Sequence, residues 1–332
     1  MKTHAIIPIF IPHKGCPNDC VFCNQNKITR KEATSDDINI AETIDRYLIT
    51  LATNMTVEVA FYGGSFTGIP IDEQSKYLEI AYSYKKRGLI DKIHLSTRPD
   101  YISEEILSNL KHYEVDTIEL GVQSFDDDVL KKSNRGHDSS IVYKSSALIK
   151  EFEFELGLQL MIGLPGDTPE KSTYSAHELV KIKPSIARLY PTIIIENTAL
   201  HDMFISGEYN TPTLNEYIST TKSMYRIISA AGINIIRVGL RSADLVKKAG
   251  VNFHPAFRQL VESEIARDII EEQLHINSPS ASIKLLSNEK SFSNLIGHKK
   301  SNKLYFVKKY PKIEFSYGVD NSLADGQYVV LE

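Results

Sequence analysis

Seven short β-branched runs punctuate the first two-thirds of the chain, at residues 5–11, 57–62, 92–96, 117–122, 156–162, 186–194 and 233–238. Amphipathic stretches fill the gaps between them, at 37–50, 72–86, 103–111, 139–150, 170–181 and 214–230. Strand, helix, strand at this spacing predicts βαβ units around a parallel sheet. Six or seven such units curl into a full or partial barrel, with its chemistry at the C-terminal ends of the strands. Those ends carry the loop from His13 to Cys23, Gly63-Gly64-Ser65, Thr97-Arg98-Pro99-Asp100, Gln123-Ser124, Gly163-Leu164-Pro165-Gly166 and Tyr190-Pro191-Thr192. All six are expected on one rim. After about residue 239 the pattern changes to a helix at 255–274 and strand-like runs at 282–286, 303–309, 312–317 and 327–331. The predicted organisation is an α/β barrel core over residues 1–240 and a small α+β extension over 241–332.

All three cysteines, Cys16, Cys20 and Cys23, fall within eight residues. An odd, bunched set makes a poor disulfide framework and points to a reducing compartment. The loop reads C-x-x-x-C-x-x-C with Phe22 directly before the last thiol. Structural zinc wants four ligands, and His13 is the one nearby fourth candidate. Soft thiolates suit an iron–sulfur cluster, and three of them leave one iron of a 4Fe–4S cluster without a protein ligand. An open iron of that kind can chelate the amino and carboxylate groups of S-adenosylmethionine (SAM). One strand later, Gly63-Gly64-Ser65 lets the backbone approach a ligand closely, and reads as the segment that binds the SAM amino group.

Further segments carry a family resemblance: Phe61-Tyr62-Gly63-Gly64-Ser65-Phe66, Thr97-Arg98-Pro99-Asp100-Tyr101-Ile102, Glu119-Leu120-Gly121-Val122-Gln123-Ser124, Asn134-Arg135-Gly136-His137, Gly163-Leu164-Pro165-Gly166, Leu189-Tyr190-Pro191-Thr192 and Phe253-His254-Pro255-Ala256-Phe257. In this order, over roughly residues 5 to 262, the chain resembles the radical SAM core of the Elongator catalytic subunit family. The resemblance implies a partial (β/α)6-type radical SAM barrel and cluster ligation by Cys16, Cys20 and Cys23. It also implies SAM contacts from Phe22, Gly63, Gly64 and Ser65, with Thr97, Arg98, Glu119 and Gln123 facing the SAM ribose or the substrate. No individual catalytic role follows. The family proper ends in an acetyltransferase domain, which is not expected here because the chain stops at Glu332.

Single residues leave alternatives open. Arg98 reads equally as an anion ligand or as a salt bridge to Asp100 or Glu119. Glu119, at an inward strand position, needs a partner and reads as a ligand contact ahead of a buried ion pair. His137 and His254 read as structural, at helix starts, and Tyr190 as a packed rim tyrosine.

The net charge of -4 conceals an asymmetry: eight lysines from Lys284 to Lys312 face one acid, Glu289. Interleaved with Phe292, Tyr305, Phe306 and Tyr310, they suit a nucleic-acid strand. Lys308 and Lys309 would equally protect an edge strand. No apolar run approaches the roughly 18 residues of a membrane span, and no signal-peptide layout opens the chain, so a cytoplasmic protein with no membrane partner is expected. The favoured function is generation of a 5′-deoxyadenosyl radical for base modification of tRNA or another RNA, fed by an electron donor such as ferredoxin or flavodoxin. The alternatives are a radical SAM enzyme for a small molecule or peptide, resembling porphyrinogen oxidases, and a non-enzymatic iron–sulfur scaffold or sensor.

Overall fold

The computed structural model describes residues 4–11, 16, 20–23, 39–52, 54–240, 253–276 and 282–332. Seven parallel strands form one curled sheet in sequential order: β1 (His4–Ile11), β2 (Thr56–Gly63), β3 (Lys92–Thr97), β4 (Thr117–Gln123), β5 (Glu155–Ile162), β6 (Ile186–Pro191) and β7 (Asn234–Val238). Among the described residues β1 and β7 are its two edges, so the barrel is partial, with one strand beyond six. Pro191, which has no N–H to give a ladder, ends β6 three residues before the apolar run stops.

Period-two alternation sorts the side chains. Ile7, Ile9 and Ile11 on β1, Val57, Val59 and Phe61 on β2, and their counterparts on β3 to β6 pack outward into the main core. They meet the helices α1 (Ile40–Leu48), α2 (Ile71–Lys86), α3 (Glu104–His112), α5 (Ser139–Glu151), α6 (Pro169–Ile182) and α8 (Leu214–Ala230), while the short helices α4 (Asp127–Lys132) and α7 (Ala199–Ile205) lie outside that core. The alternate residues, polar in large part, line the concave interior. Ser103, Asp126, Asp138, Thr168, Thr198 and Thr213 each accept a backbone N–H at a helix start. Each such cap satisfies an orphan donor, contributes about 1 kcal/mol and fixes where a rim loop ends.

Helix α9 (Phe257–Ile276) serves two cores. Phe257 and Val261 belong to the barrel core, whereas Ala266, Ile270 and Leu274 pack with Ile283, Leu285, Leu295 and Phe306. That second core underlies a three-stranded sheet ordered β10 (Tyr328–Leu331), β8 (Ser282–Ser287), β9 (Glu314–Val319), with α10 (Phe292–Ile296) and α11 (Ser301–Lys309) beside it. The strand expected at 303–309 is therefore a helix. Either alternating face of a strand there would bury a lysine, whereas a helix buries Asn302 and Phe306, four apart, on one side. Asn302 Nδ2 donates to the carbonyls of Ser263 (2.8 Å) and Asn294 (3.0 Å), which fixes that face. The edge-strand role for Lys308 and Lys309 falls with it.

Candidate active site

Cys20, Val21, Phe22 and Cys23 form a turn closed by the Cys23 N–H on the Cys20 carbonyl at 2.9 Å. Two distant segments hold it. The Val21 N–H donates to the Ser133 carbonyl at the end of α4 (3.2 Å), and the Leu200 N–H at the start of α7 donates to the Val21 carbonyl (2.7 Å). Val21 packs with Leu200 and Tyr209 in a small apolar cluster, with Phe22 against its edge. Neither α4 nor α7 was expected; at six and seven residues they are too short for helical periodicity to register. His13 and the rest of the cysteine loop apart from Cys16 lie outside the described residues.

Cys20 is buried, while Cys16 and Cys23 are half-buried. Two guanidiniums face the Cys20 sulfur: Arg135 Nη1 at 3.3 Å and Arg98 Nη1 at 3.8 Å. Asp100 grips Arg98 through Nε (2.9 Å) and Nη2 (2.8 Å), and Arg98 also donates to the Arg135 carbonyl. Arg135 Nη2 donates to the Gly121 carbonyl at 2.5 Å. Burial would lower the basicity of Arg98, but Asp100 and then the cysteines raise it. Among the described residues no three His, Cys, Asp or Glu side chains are grouped to hold a single metal ion. That holds for Cys16, Cys20 and Cys23 themselves, which the structure does not bring together as a trio. The Cys20 thiol, with two fixed cations behind it, suits a ligand of an anionic sulfur-rich group better than of a bare cation.

The glycine segment sits against the end of β1 by necessity. Gly63 has φ +113°, and a Cβ there would lie 2.5 Å from the Ile11 carbonyl oxygen, at the end of β1. Only glycine lets β2 close on the strand from which the cysteine loop departs. Ser65 Oγ accepts the Arg98 N–H at 3.0 Å, and Thr97 Oγ1 lies 3.5 Å from it and 2.6 Å from Thr67 Oγ1. Thr97 therefore ties the glycine segment to the end of β3, its hydroxyl engaged with Thr67 and Ser65. Gln123 closes β4 in a left-handed conformation, φ 73°. Its Oε1 accepts from Gln159 Nε2 at 3.3 Å, and non-glycine residues in that region tend to mark functional positions.

Below the rim a charged ladder crosses the barrel interior. His4 Nε2 lies 2.9 Å from Glu58 Oε2, and Glu58 Oε1 lies 2.5 Å from His94 Nδ1. His94 Nε2 stands 3.8 Å from Glu119 Oε2, which pairs with Arg188 Nε at 2.6 Å. Arg188 donates to the Tyr62 hydroxyl (2.9 Å) and the Tyr190 hydroxyl (3.2 Å). Burial would weaken Arg188 as a base, but Glu119 raises it above its ordinary value. Tyr62 is pushed up to about 12, first by burial and with Glu119 adding to it against Arg188. Burial would raise Glu58, yet the imidazoles of His94 and His4 hold it below the ordinary carboxylate range. Glu119 is thus half of a buried ion pair. The sequence did carry a signal for this ladder: Glu58, His94 and Arg188 each interrupt an apolar alternation, in Val57-Glu58-Val59, Ile93-His94-Leu95 and Ala187-Arg188-Leu189.

His137 contacts the Asp138 carbonyl (3.1 Å) beside the α5 cap, and His254 accepts the Ala256 N–H (3.0 Å) just before α9. After β5, a cavity of about 510 Å³ opens between Gly163–Asp167, Lys132, Met203, Tyr209 and Pro212. Asp167 shapes it, accepting from the Gly163 N–H (2.8 Å) and Ser172 Oγ (2.7 Å), and burial pushes its carboxyl up.

Comparison with known proteins matches this geometry to sequence. Residues 10–176 match the family described as the radical SAM superfamily, and residues 184–267 match the radical SAM C-terminal domain. A tRNA uridine(34) acetyltransferase of Methanocaldococcus infernus is 27% identical over 265 residues, covering 66% of this chain and 49% of the relative. Elongator complex protein 3 of Homo sapiens is 27% identical over 192 residues, covering 52% of this chain and 35% of its own. The chain spans about half the length of the acetyltransferases it matches. Among solved structures, the archaeal M. infernus Elp3 with an N-terminal deletion superposes with a TM-score of 0.65 at 19% identity, over 81% of this chain and 64% of that one.

Proposed function

Since this chain belongs to the radical SAM superfamily, whose members use a 4Fe–4S cluster and SAM, we propose that it is a SAM-cleaving enzyme that modifies a base in RNA, with tRNA as the first candidate substrate. When bound, the cluster and SAM together supply a 5′-deoxyadenosyl radical. In this reading Cys16, Cys20 and Cys23 are the cluster ligands. Arg135 and Arg98 hold the Cys20 sulfur through N–H···S contacts, and Phe22 seats the turn on its apolar cluster. The backbone of Gly63, Gly64 and Ser65 receives the methionine end of SAM, and Gln123 faces its ribose. Thr97 and Arg98 fix those segments relative to each other. Glu119 acts through Arg188, which presents the Tyr62 and Tyr190 hydroxyls to the interior where a substrate must sit.

The observation that carries the reading is a cysteine turn on the strand-end rim whose innermost sulfur faces two guanidiniums. RNA is favoured by the tRNA-directed names of relatives and by the lysine-rich end. Electrons are assigned to a ferredoxin- or flavodoxin-type donor.

Anaerobic reconstitution tests the first part. Iron and sulfide should bind in cluster stoichiometry, and dithionite with SAM should release 5′-deoxyadenosine. Replacing the three cysteines with alanine should abolish both. A protein that takes up zinc in place of iron, or a reduced cluster that leaves SAM intact, overturns the assignment. For the second part, a deletion strain should lack a modified nucleoside present in its parent. Identical nucleoside profiles together with SAM cleavage indifferent to total RNA would exclude RNA as substrate.

A further inference from the structure

Two of the eight lysines of the C-terminal end are paired, and three of the others are close together in sequence. Lys290 is neutralised by Asp325, and Lys309 by Glu271 on α9. Lys299, Lys300 and Lys303 have no ion pair among the described residues and are exposed. Lys299 and Lys300 occupy the 3-10 turn His298–Lys300, both with left-handed backbone (φ 51° and 65°), immediately after Gly297. Lys303 follows on a flank of α11, exposed and above the Tyr317 ring at 5.6 Å. At 100° per residue it stands roughly 80° round the helix from the buried Asn302 and Phe306.

This turn abuts a cavity at the open edge of the barrel. His298 Nδ1 lies 3.1 Å from Gln259 Oε1, and its ring meets that of His254 with centroids 4.9 Å apart. Gln259 lines a cavity of about 630 Å³ together with Arg237, Arg258, Lys290 and Asn294, with Glu262 as its one carboxylate. Glu262 is itself occupied, by Arg258 Nε at 2.7 Å and Asn294 Nδ2 at 3.0 Å. The cavity reaches Ile236 and Val238 on β7. There Arg237 is the register partner of Arg188, the cation that faces the interior tyrosines. Among the described residues cations therefore run from Lys303 through Lys300 and Lys299 to the cavity, where Arg258 and Lys290 are paired with Glu262 and Asp325, and on to Arg237 beside Arg188.

We propose that this run is the docking track for a single-stranded segment of RNA. Its phosphates lie along the lysine turn and the arginine-lined cavity, and the next base is delivered to the barrel mouth. The proposal rests on the RNA reading above and adds the surface and the form of the partner. A line of separated cations fits a polymer with one charge per residue, and a base must leave any duplex to reach a barrel interior. All three lysines lie beyond residue 267, where the match to the radical SAM C-terminal domain ends, whereas the cavity's Arg237 and Arg258 lie within it.

The test is a salt titration of binding to the full-length protein, using a fluorescently labelled RNA stem-loop and a blunt RNA duplex. The triple variant Lys299→Asn, Lys300→Asn, Lys303→Gln removes three charges, asparagine being chosen because it tolerates left-handed backbone. At about 0.7 per phosphate contact on a single strand, the slope of log affinity against log salt should fall by about 2, and affinity near 0.15 M salt by roughly 50-fold. Lys309→Gln should change neither. The stem-loop should outcompete the duplex, and ultraviolet cross-linking of the unaltered protein should map to peptides containing residues 254–262 and 290–303. If the parent binds the stem-loop but the triple variant keeps its slope, or cross-links map elsewhere, the track is wrong and the RNA reading stands. If the parent binds neither RNA at about 50 mM salt but captures an acidic protein or anionic vesicles, both fall.

Discussion

Replacing Gly63 with alanine should cost stability and, separately, iron. Two penalties are built into the position. The φ of +113° lies where an L side chain is strained, at about 1 to 3 kcal/mol. The added Cβ would also sit 2.5 Å from the Ile11 carbonyl oxygen, against the 3.4 Å at which ordinary contact begins. Since that atom is backbone, the ends of β1 and β2 must part by about 0.9 Å, the difference between those two distances. Gly88 isolates the first penalty, because its φ is +68° yet a Cβ there meets nothing within 4 Å. Gly88→Ala should lose about 1 kcal/mol, and Gly63→Ala at least twice that, read from urea midpoints of the anaerobic protein. Iron content after reconstitution separates the cases further, since only Gly63→Ala moves the strand that feeds the cysteine loop. Equal losses for the two variants, with full iron in both, would refute the reasoning.

Three more outcomes are expected. Arg188→Met strands the Glu119 carboxylate and should cost about 3–5 kcal/mol. The Glu119→Gln, Arg188→Met double variant should lose at least 1 kcal/mol less than the sum of the singles, and additive losses would show the pair is uncoupled. Because the folded-state pKa of Glu58 is depressed below 4.5, its contribution is complete above that value and is lost as pH falls through the folded value. Glu58→Gln should therefore flatten the acid limb of a melting-temperature profile, and a parallel limb counts against the His4–Glu58–His94 contacts. Arg135→Met withdraws a cation and an N–H donor 3.3 Å from the Cys20 sulfur. The midpoint of the reconstituted cluster, followed by electron paramagnetic resonance, should become more negative, and an unmoved midpoint removes Arg135 from that role.

Reading the chain from sequence succeeded where one residue's neighbours in sequence determine its environment. The strand at 117–122 is legible because Ile118, Leu120 and Val122 alternate with polar positions, and the structure packs those three in the core. The helix at 214–230 is legible from its amphipathic pattern, and its bounds are as expected, its start held by a Thr213–Glu216 capping box. What stayed hidden depends on register between distant segments. That Glu119 meets Arg188 follows from the sheet, where Glu119 is level with Gly157 on β5, which carries no side chain, and Arg188 on β6 is level with Gln159, two residues further along. Thr97 follows a polar Ser96, so its commitment to Thr67 and Ser65 cannot be inferred from alternation. The 303–309 segment misled because Leu304, Tyr305, Phe306 and Val307 are all β-compatible, and only the anchoring of Asn302 in the second core decides for a helix.

The clamp on Val21 also bears on how the protein matures. Its two backbone partners, Ser133 and Leu200, are encoded more than a hundred residues downstream, so the thiol turn cannot take its final shape on the ribosome until most of the barrel has emerged. Metal delivery must then come late, to a nearly finished fold. A chain truncated before Leu200 should be born with its thiols unshielded, and open to oxidation first.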